Sequence, residues 1–332
     1  MENRPSAALL AEVWRGDFLE SQHHGHAVIV DGSGDIVAAW GDPDAVILPR
    51  SSAKMIQALP LVASGAADAL TPRHLALACA SHEGSPIHTH FVARWLSELG
   101  LGESDLLCGP QPPRDLDANA MLIRSREEPN QIHNNCSGKH TGFLALGKHL
   151  GAGPSYIAAD HPVQRAVLEV FEETTGSTSS GYAIDGCSAP NFATSLVAFA
   201  RALAWFATAG SRSAVLDQSA VRLREAMIAH PELVAGEGGA CTHLMRAMRG
   251  VAVKTGAEGV YAGILPEAGL GIALKVADGA TRASEAAIAA LLVRMGVLNA
   301  EHPTARALLM APQVNRAGRT VGYVRPAPEL LT

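Results

Sequence analysis

Apolar and polar positions follow two kinds of pattern along this chain, and the two kinds occupy different stretches. Ala27 to Trp40 holds two apolar runs around Asp31-Gly32-Ser33-Gly34, which predicts a β-hairpin closed by a tight glycine turn. Towards the other end, Val251-Ala252-Val253 predicts a strand, Gly259 to Gly279 a second hairpin, and Thr320 to Arg325 a short last strand. The middle is helical in character. Thr71-Pro72 and Ser85-Pro86 pair an N-cap with a first-turn proline, the second opening a helix that ends near Gly100. Val163, Ala166, Val167, Val170 and Phe171 keep the i, i+3, i+4, i+7 spacing up to Gly176. Ala193–Ala209, Ala214–Ala229 and Ala283–Met295 predict further helices.

Strands at both ends with helices between them predict an α+β fold. One antiparallel sheet is built from the two chain ends and covered by helices from a central helical region. Interleaved βαβ units, internal repeats and low-complexity tracts are not evident. No linker divides the chain, so residues 1–332 are expected to form a single domain whose middle can stand as a helical lobe.

Composition narrows the class. Apolar residues make up 48% and charged residues 17%, which suits a globular protein. The net charge of −6 comes without a dense basic run, so a nucleic-acid surface is not expected. No stretch of about 18 apolar residues runs without charge or Gly/Pro breaks, so no membrane span is expected. The first 17 residues lack a basic start followed by an apolar core, so no signal peptide is expected. The cysteines are Cys79, Cys108, Cys136, Cys187 and Cys241, an odd and sparse set that suits reduced thiols in the cytoplasm. Lysine is scarce: the basic residues are 21 Arg and 5 Lys, at 54, 139, 148, 254 and 275. Each lysine therefore asks for a reason.

The candidate chemistry lies in six short segments. Pro49-Arg50-Ser51-Ser52-Ala53-Lys54 contains S-x-x-K. At a helix start, residues three apart share a face, so an uncharged amine at Lys54 can take the Ser51 proton and leave a nucleophile. A helix N-cap serine followed by a surface lysine gives the same spacing, so alone this signal is weak. Lys254-Thr255-Gly256 follows a predicted strand. K-T-G on a strand edge downstream of S-x-x-K is the arrangement of serine β-lactamases and penicillin-binding proteins. Ala80-Ser81-His82-Glu83-Gly84 places Ser81 on a turn after an apolar run; adjacent Ser and His do not act on one another. Asn134 to Gly142, Asp185 to Pro190 and Gly238 to His243 read as polar, glycine-rich turns that carry Cys136, Cys187 and Cys241. Cys79 and Cys108, with apolar neighbours, read as small core residues. No C-x-x-C occurs, so a zinc finger is unsupported.

On Pro49–Lys54, Ala80–Gly84, Asn134–Gly142, Asp185–Pro190, Gly238–Cys241 and Lys254–Gly256 the chain resembles the Rhizobium-type (class 3) L-asparaginases, which have a serine β-lactamase-like fold. The Cys136-Ser137-Gly138-Lys139 and Asp185-Gly186-Cys187 segments are the specific parts. The resemblance implies two serine–lysine pairs, Ser51 with Lys54 and Ser81 with Lys254. It also implies a zinc site held by Cys136, Lys139 and Cys187, supported by Asp185, and it implies a homodimer. The expected enzyme is an amidohydrolase releasing ammonia from L-asparagine, with Ser51 as nucleophile, Lys54 as base, and Ser81 and Lys254 relaying protons. Cys241 is expected in the second layer around the site. Arg50 or His140 would meet the substrate carboxylate, and Glu83 its ammonium. Lysine is almost wholly protonated at neutral pH, with a pKa of roughly 10.4. Burial and the mutual repulsion of Lys54, Lys139 and Lys254 are expected to favour the neutral amine. The competing readings are a related serine amidohydrolase such as a glutaminase, amidase or β-lactam-binding hydrolase, a non-catalytic amino-acid or metal binder, and a cysteine hydrolase using Cys136 or Cys241.

Overall fold

The computed structural model describes residues 6–332. The chain divides into two compact units, each assembled from separate segments. The first comprises the N-terminal segment up to Ser52, Thr194–Thr208 and His243–Thr332; the second comprises Ala53–Ala193 and Ala209–Thr242.

The first unit is built on an antiparallel sheet of eight strands: β1 (Ala8–Arg15), β2 (Phe18–Val30), β3 (Ile36–Trp40), β4 (Ala252–Thr255), β5 (Val260–Leu265), β6 (Leu270–Val276), β7 (Ala311–Val314) and β8 (Thr320–Pro326). Their order is β7-β8-β1-β2-β6-β5-β4, with β3 also paired to β2. Both predicted hairpins form: Ala27 pairs with Trp40 across β2 and β3, and Leu270 with Leu265 across β5 and β6. Strand β1 and the first half of β2 lie outside the predicted set. Along β1 burial alternates only from Ala11 onward, and a register shift between Leu9 and Ala11 leaves Leu10 and Ala11 both buried, which hid the period from the sequence pattern. The central strands are apolar throughout because both faces are covered. Ala27 to Val30 and Val260 to Leu265 are all buried. Helices Leu196–Ala207 and Thr281–Arg294 provide the cover. Gly271 of β6 shows how close the packing is: a Cβ there would fall 2.3 Å from the Ala204 amide nitrogen, so only glycine lets the helix backbone rest on the strand.

The second unit is helical. Its longer helices are Pro72–Ala78, Pro86–Glu98, Leu116–Ser125, Ser137–His149, Pro162–Thr175 and Val215–Ala229. Thr71 and Ser85 precede the first two as predicted, and each hydroxyl meets a histidine Nδ1 three residues on, His74 at 2.8 Å and His88 at 2.7 Å. Gly176 ends the helix Pro162–Thr175 in the left-handed conformation, where a missing Cβ removes the strain. The segment after Cys136 is a correction to the sequence pattern: it is a helix with Ser137 to Gly147 entirely buried, despite three glycines. Cys241 likewise lies inside a helix, Ala240–Ala247, and not in a turn. Among the described residues no helix is long and apolar enough to cross a membrane.

Candidate active site

In the second unit the helix Pro72–Ala78 delivers a wholly buried Cys79-Ala80 to an irregular segment that begins at Ser81 and is not a turn. Backbone hydrogen bonds hold that segment: the Ser81 amide donates to Val234 O at 2.8 Å and the His82 amide to Asn135 O at 3.1 Å. The imidazole of His82 locks it further. Its Nδ1 accepts the Gly84 amide at 3.2 Å, so its proton sits on Nε2 and is donated to Ser137 Oγ at 2.9 Å. Ser137 passes its own proton to Ile132 O at 2.8 Å. Complete burial, followed by the charges of His88 and Lys54, pushes the His82 pKa well below the usual imidazole value, so the ring is neutral.

Lys54 begins the short helix Lys54–Gln57, directly after the helical turn Arg50–Ala53. It is 1% exposed. Its amine donates to Ala80 O, to Ser81 Oγ at 3.0 Å and to Cys136 Sγ at 3.1 Å. Such a burial is tolerated only because each N–H finds an acceptor. Cys136 opens the helix Ser137–His149, its amide held by Asn134 Oδ1 at 2.8 Å and its thiol directed to Asn135 Oδ1 at 3.1 Å. One turn on, Lys139, 3% exposed, donates to Cys187 Sγ at 3.1 Å. Cys187 comes from the turn of a two-stranded hairpin, Tyr182–Ile184 with Pro190–Phe192. The next residue, Ser188, has a φ of +69°, a conformation costly for a residue with a Cβ and typical of functional turns.

The two sulfurs perturb one another. Cys136 hydrogen-bonds to Cys187 and, with burial, stays a thiol with its pKa raised. The same hydrogen bond, aided by Lys139 and Lys54, holds Cys187 far below the usual thiol range. Lys139 departs from the mutual-repulsion argument. Burial opposes its charge, but Cys187, Cys136 and Asp185 outweigh burial and raise its pKa. The neighbours that decide its state are sulfurs, not other lysines. A serine hydroxyl, an amine, two sulfurs and a second amine thus form one connected chain from Ser81 to Lys139.

Among the described residues no group of three or more His, Cys, Asp and Glu gathers as a metal site. The two sulfurs and the Lys139 amine are a donor set of another kind. One sulfur is already held as thiolate, the form zinc binds. The two sulfurs fit a zinc ion, and Lys139 joins them only as the neutral amine.

The other predicted residues are placed as follows. Glu83 shares with Ser81 the wall of a cavity of about 600 Å³, along with Arg114, Asp115, Asp117 and Glu237. Its carboxylate accepts the Glu237 amide at 3.0 Å; burial, then the nearby Asp115 and Glu237 carboxylates, raises its pKa. His140 is completely buried against Tyr156, Nδ1 to hydroxyl 2.9 Å. Burial and then the Lys139 charge push its pKa well below the ordinary value, so it has no positive charge to offer a carboxylate. Asp185 is half-buried in the Cys187 turn, and Cys241 is buried in its helix. Arg50, Ser51 and Lys254 belong to the first unit. There Arg50 holds a φ of +56°, so the turn bearing Ser51 is strained. A Cβ on Gly256 would lie 2.7 Å from Pro49 O and 3.1 Å from the Ser52 amide nitrogen. The K-T-G segment thus packs directly on the backbone either side of Ser51, and Lys254 lies fully buried within β4. Sequence reasoning missed Tyr156 and His82 as a fixed link. Cys108 is the buried core residue that the sequence predicts, and burial, then the Cys136 and Cys187 thiols, raise its pKa to about 12.

The L-asparaginase II family matches residues 11–326. No curated protein gives a significant match. Among solved structures, a putative β-lactamase from Bacteroides dorei DSM 17855 is similar with TM-score 0.40 and 15% identity, covering 76% of this chain and 84% of that one. A class C β-lactamase from Rhodobacter sphaeroides gives 0.41 and 14%, covering 78% and 91%. The protein described as Mglu gives 0.45 and 14%, covering 89% and 72%. The family match spans both units, the Ser51 turn and every segment of the connected Ser81–Lys139 chain, and this chain is therefore a member of the L-asparaginase II family.

Proposed function

We propose that the protein hydrolyses L-asparagine to L-aspartate and ammonia through a serine–lysine acyl-enzyme. The observation that carries the reading is the buried Lys54 amine, hydrogen-bonded to the Ser81 hydroxyl and three residues after Ser51. Ser51 Oγ attacks the side-chain amide carbonyl while Lys54 Nζ, uncharged at that moment, takes its proton. The proton passes to the amide nitrogen, the C–N bond breaks and ammonia leaves. Water, deprotonated in turn by Lys54, cleaves the ester and releases aspartate with Ser51 restored. Ser81 relays protons to and from Lys54, and Lys254, on the strand packed against the Ser51 turn, adds positive potential. Glu83 takes the substrate ammonium and Arg50 its carboxylate. Cys136, Lys139 and Cys187 would hold zinc, which when bound supplies fixed positive charge beside the serine–lysine pair. The five thiols, none in a disulfide, support a reducing, cytoplasmic setting, and the homodimer implied by the family resemblance belongs to the same proposal.

The 3.0 Å contact of Lys54 with Ser81 favours one other assignment, with Ser81 as the nucleophile. A single experiment tests both. Ammonia release from asparagine and from glutamine is measured for wild type, Ser51→Ala and Ser81→Ala, and the acylated peptide is identified by mass spectrometry after acid quench. Ser51→Ala should lose several orders of magnitude in turnover. Acyl label on Ser81 would transfer the nucleophile to that residue, and near-native turnover in both variants would end the serine–lysine reading.

A further inference from the structure

His140 and Tyr156 form a small hydrogen-bonded device that the proposed mechanism leaves unused. Tyr156 is fully buried, and its hydroxyl accepts the Leu107 amide at 2.7 Å. Its other hydrogen bond is to His140 Nδ1, at 2.9 Å. Among the described residues the phenol has no second acceptor, so its one proton goes to His140 Nδ1. That assignment places the imidazole proton on Nε2. His140 Nε2 is buried and has no partner, although nearly all buried N–H groups in proteins are satisfied. His140 stands one helical turn beyond Cys136, its amide donating to Cys136 O at 3.0 Å, and immediately after Lys139. Residues four apart share a helix face, so the unsatisfied N–H lies on the side of the helix that carries the sulfur site.

We propose that Tyr156 fixes His140 in its Nε2–H form, and that this N–H donates a hydrogen bond to an oxygen of a small molecule bound beside Cys136 and Lys139. The oxygen belongs either to a held water or to the carboxylate of the substrate or product. Only the carboxylate arm rests on the asparaginase reading. His140 then acts as a neutral donor and Tyr156 as a positioning residue. A buried polar site with several donors and acceptors suits a fixed water, and a neutral N–H needs no counter-charge when the carboxylate departs.

The test uses the intact protein labelled with ¹⁵N-histidine. Two-bond ¹H–¹⁵N correlations give the tautomer, and the His140 signals are identified by their loss in His140→Gln. The expected result is a proton on Nε2. A cross-peak from that proton to long-lived water identifies a held water; a shift of that proton on adding L-aspartate identifies a carboxylate. Either supports the proposal. A proton on Nδ1, or an Nε2 proton with neither response, overturns it. Tyr156→Phe removes the group that sets the tautomer and should yield a mixture of both forms; an unchanged tautomer removes Tyr156 from the device. In turnover, His140→Gln, which keeps an N–H donor, should exceed His140→Leu by about tenfold. Equal rates in the two variants count against the donor role. Failure of ammonia release from asparagine would leave the tautomer and water readings standing, so the two ideas fail separately.

Discussion

Two glycines of the helix Ser137–His149 give opposite expectations for the same substitution. Helix propensity alone favours Gly→Ala by about 1 kcal/mol at either position. At Gly138 the structure reverses that sign. A Cβ there would lie 2.5 Å from Leu77 O and 2.6 Å from Leu77 Cγ, the first a backbone atom that cannot swing aside. The helix must back away from Pro72–Ala78, and overpacking of this kind costs about 1–3 kcal/mol, leaving Gly138→Ala destabilised by about 0–2 kcal/mol. At Gly142 the nearest atoms to a Cβ are Leu61 Cδ2 at 3.4 Å, Ala78 Cβ at 3.5 Å and Trp95 Cη2 at 3.6 Å. These are ordinary contacts, so the propensity gain stands, with up to about 0.8 kcal/mol for a buried methyl. Equilibrium urea unfolding should therefore separate the two variants by about 2 kcal/mol on opposite sides of wild type. Ammonia release should follow, because the same retreat carries Cys136 and Lys139 away from Lys54 and Cys187. A Gly138→Ala protein more stable than wild type, or a destabilised Gly142→Ala protein, would refute the packing argument.

Lys54→Met keeps length but strands Ala80 O and Ser81 Oγ. We expect a net loss of about 1–3 kcal/mol in denaturant titration and about 10²–10⁴ in ammonia release; a variant within about tenfold of wild type would remove Lys54 as the base. Glu83→Gln tests the pH dependence. The raised pKa of Glu83 means that its favourable, protonated form is fully present below the ordinary 4.5 and is lost as pH rises through the folded value. The variant should therefore gain stability relative to wild type on going from pH 4 to neutral pH, while KM for asparagine rises; a stability difference independent of pH would contradict the burial argument. Cys187→Ala removes the thiolate that holds Lys139. Elemental analysis of protein purified without chelator should show metal lost from the variant, and equal metal in the two proteins would exclude Cys187 as a ligand.

The α+β plan was legible because the hairpins at Ala27–Trp40 and Gly259–Gly279 carry local turn chemistry and the middle carries helical periodicity. Scarcity also singled out the lysines, and Lys54, Lys139 and Lys254 are all buried. Strand β1 was not legible. Its polar residues Glu12 and Trp14 bond to one another and Glu12 also to Arg325 of β8, partners that no local window contains. Nor was the helix after Cys136, whose glycines read as a turn; close approach to Leu77 makes them helix residues. Tyr156 carried no signal, because its role depends on His140 and Leu107, both distant in sequence.

The sequence by itself determined which groups are present and in what local setting: an S-x-x-K turn, a K-T-G strand, three cysteines in polar segments, and apolar runs around turns that build a sheet from both ends. The tertiary structure decided which groups meet. It placed Ser81, not a sequence neighbour, on the Lys54 amine, gave Lys139 a sulfur for a partner and left His140 neutral. The physical reason is that charge and proton position depend on burial and on atoms within about 4 Å, and those atoms come from segments that only folding brings together.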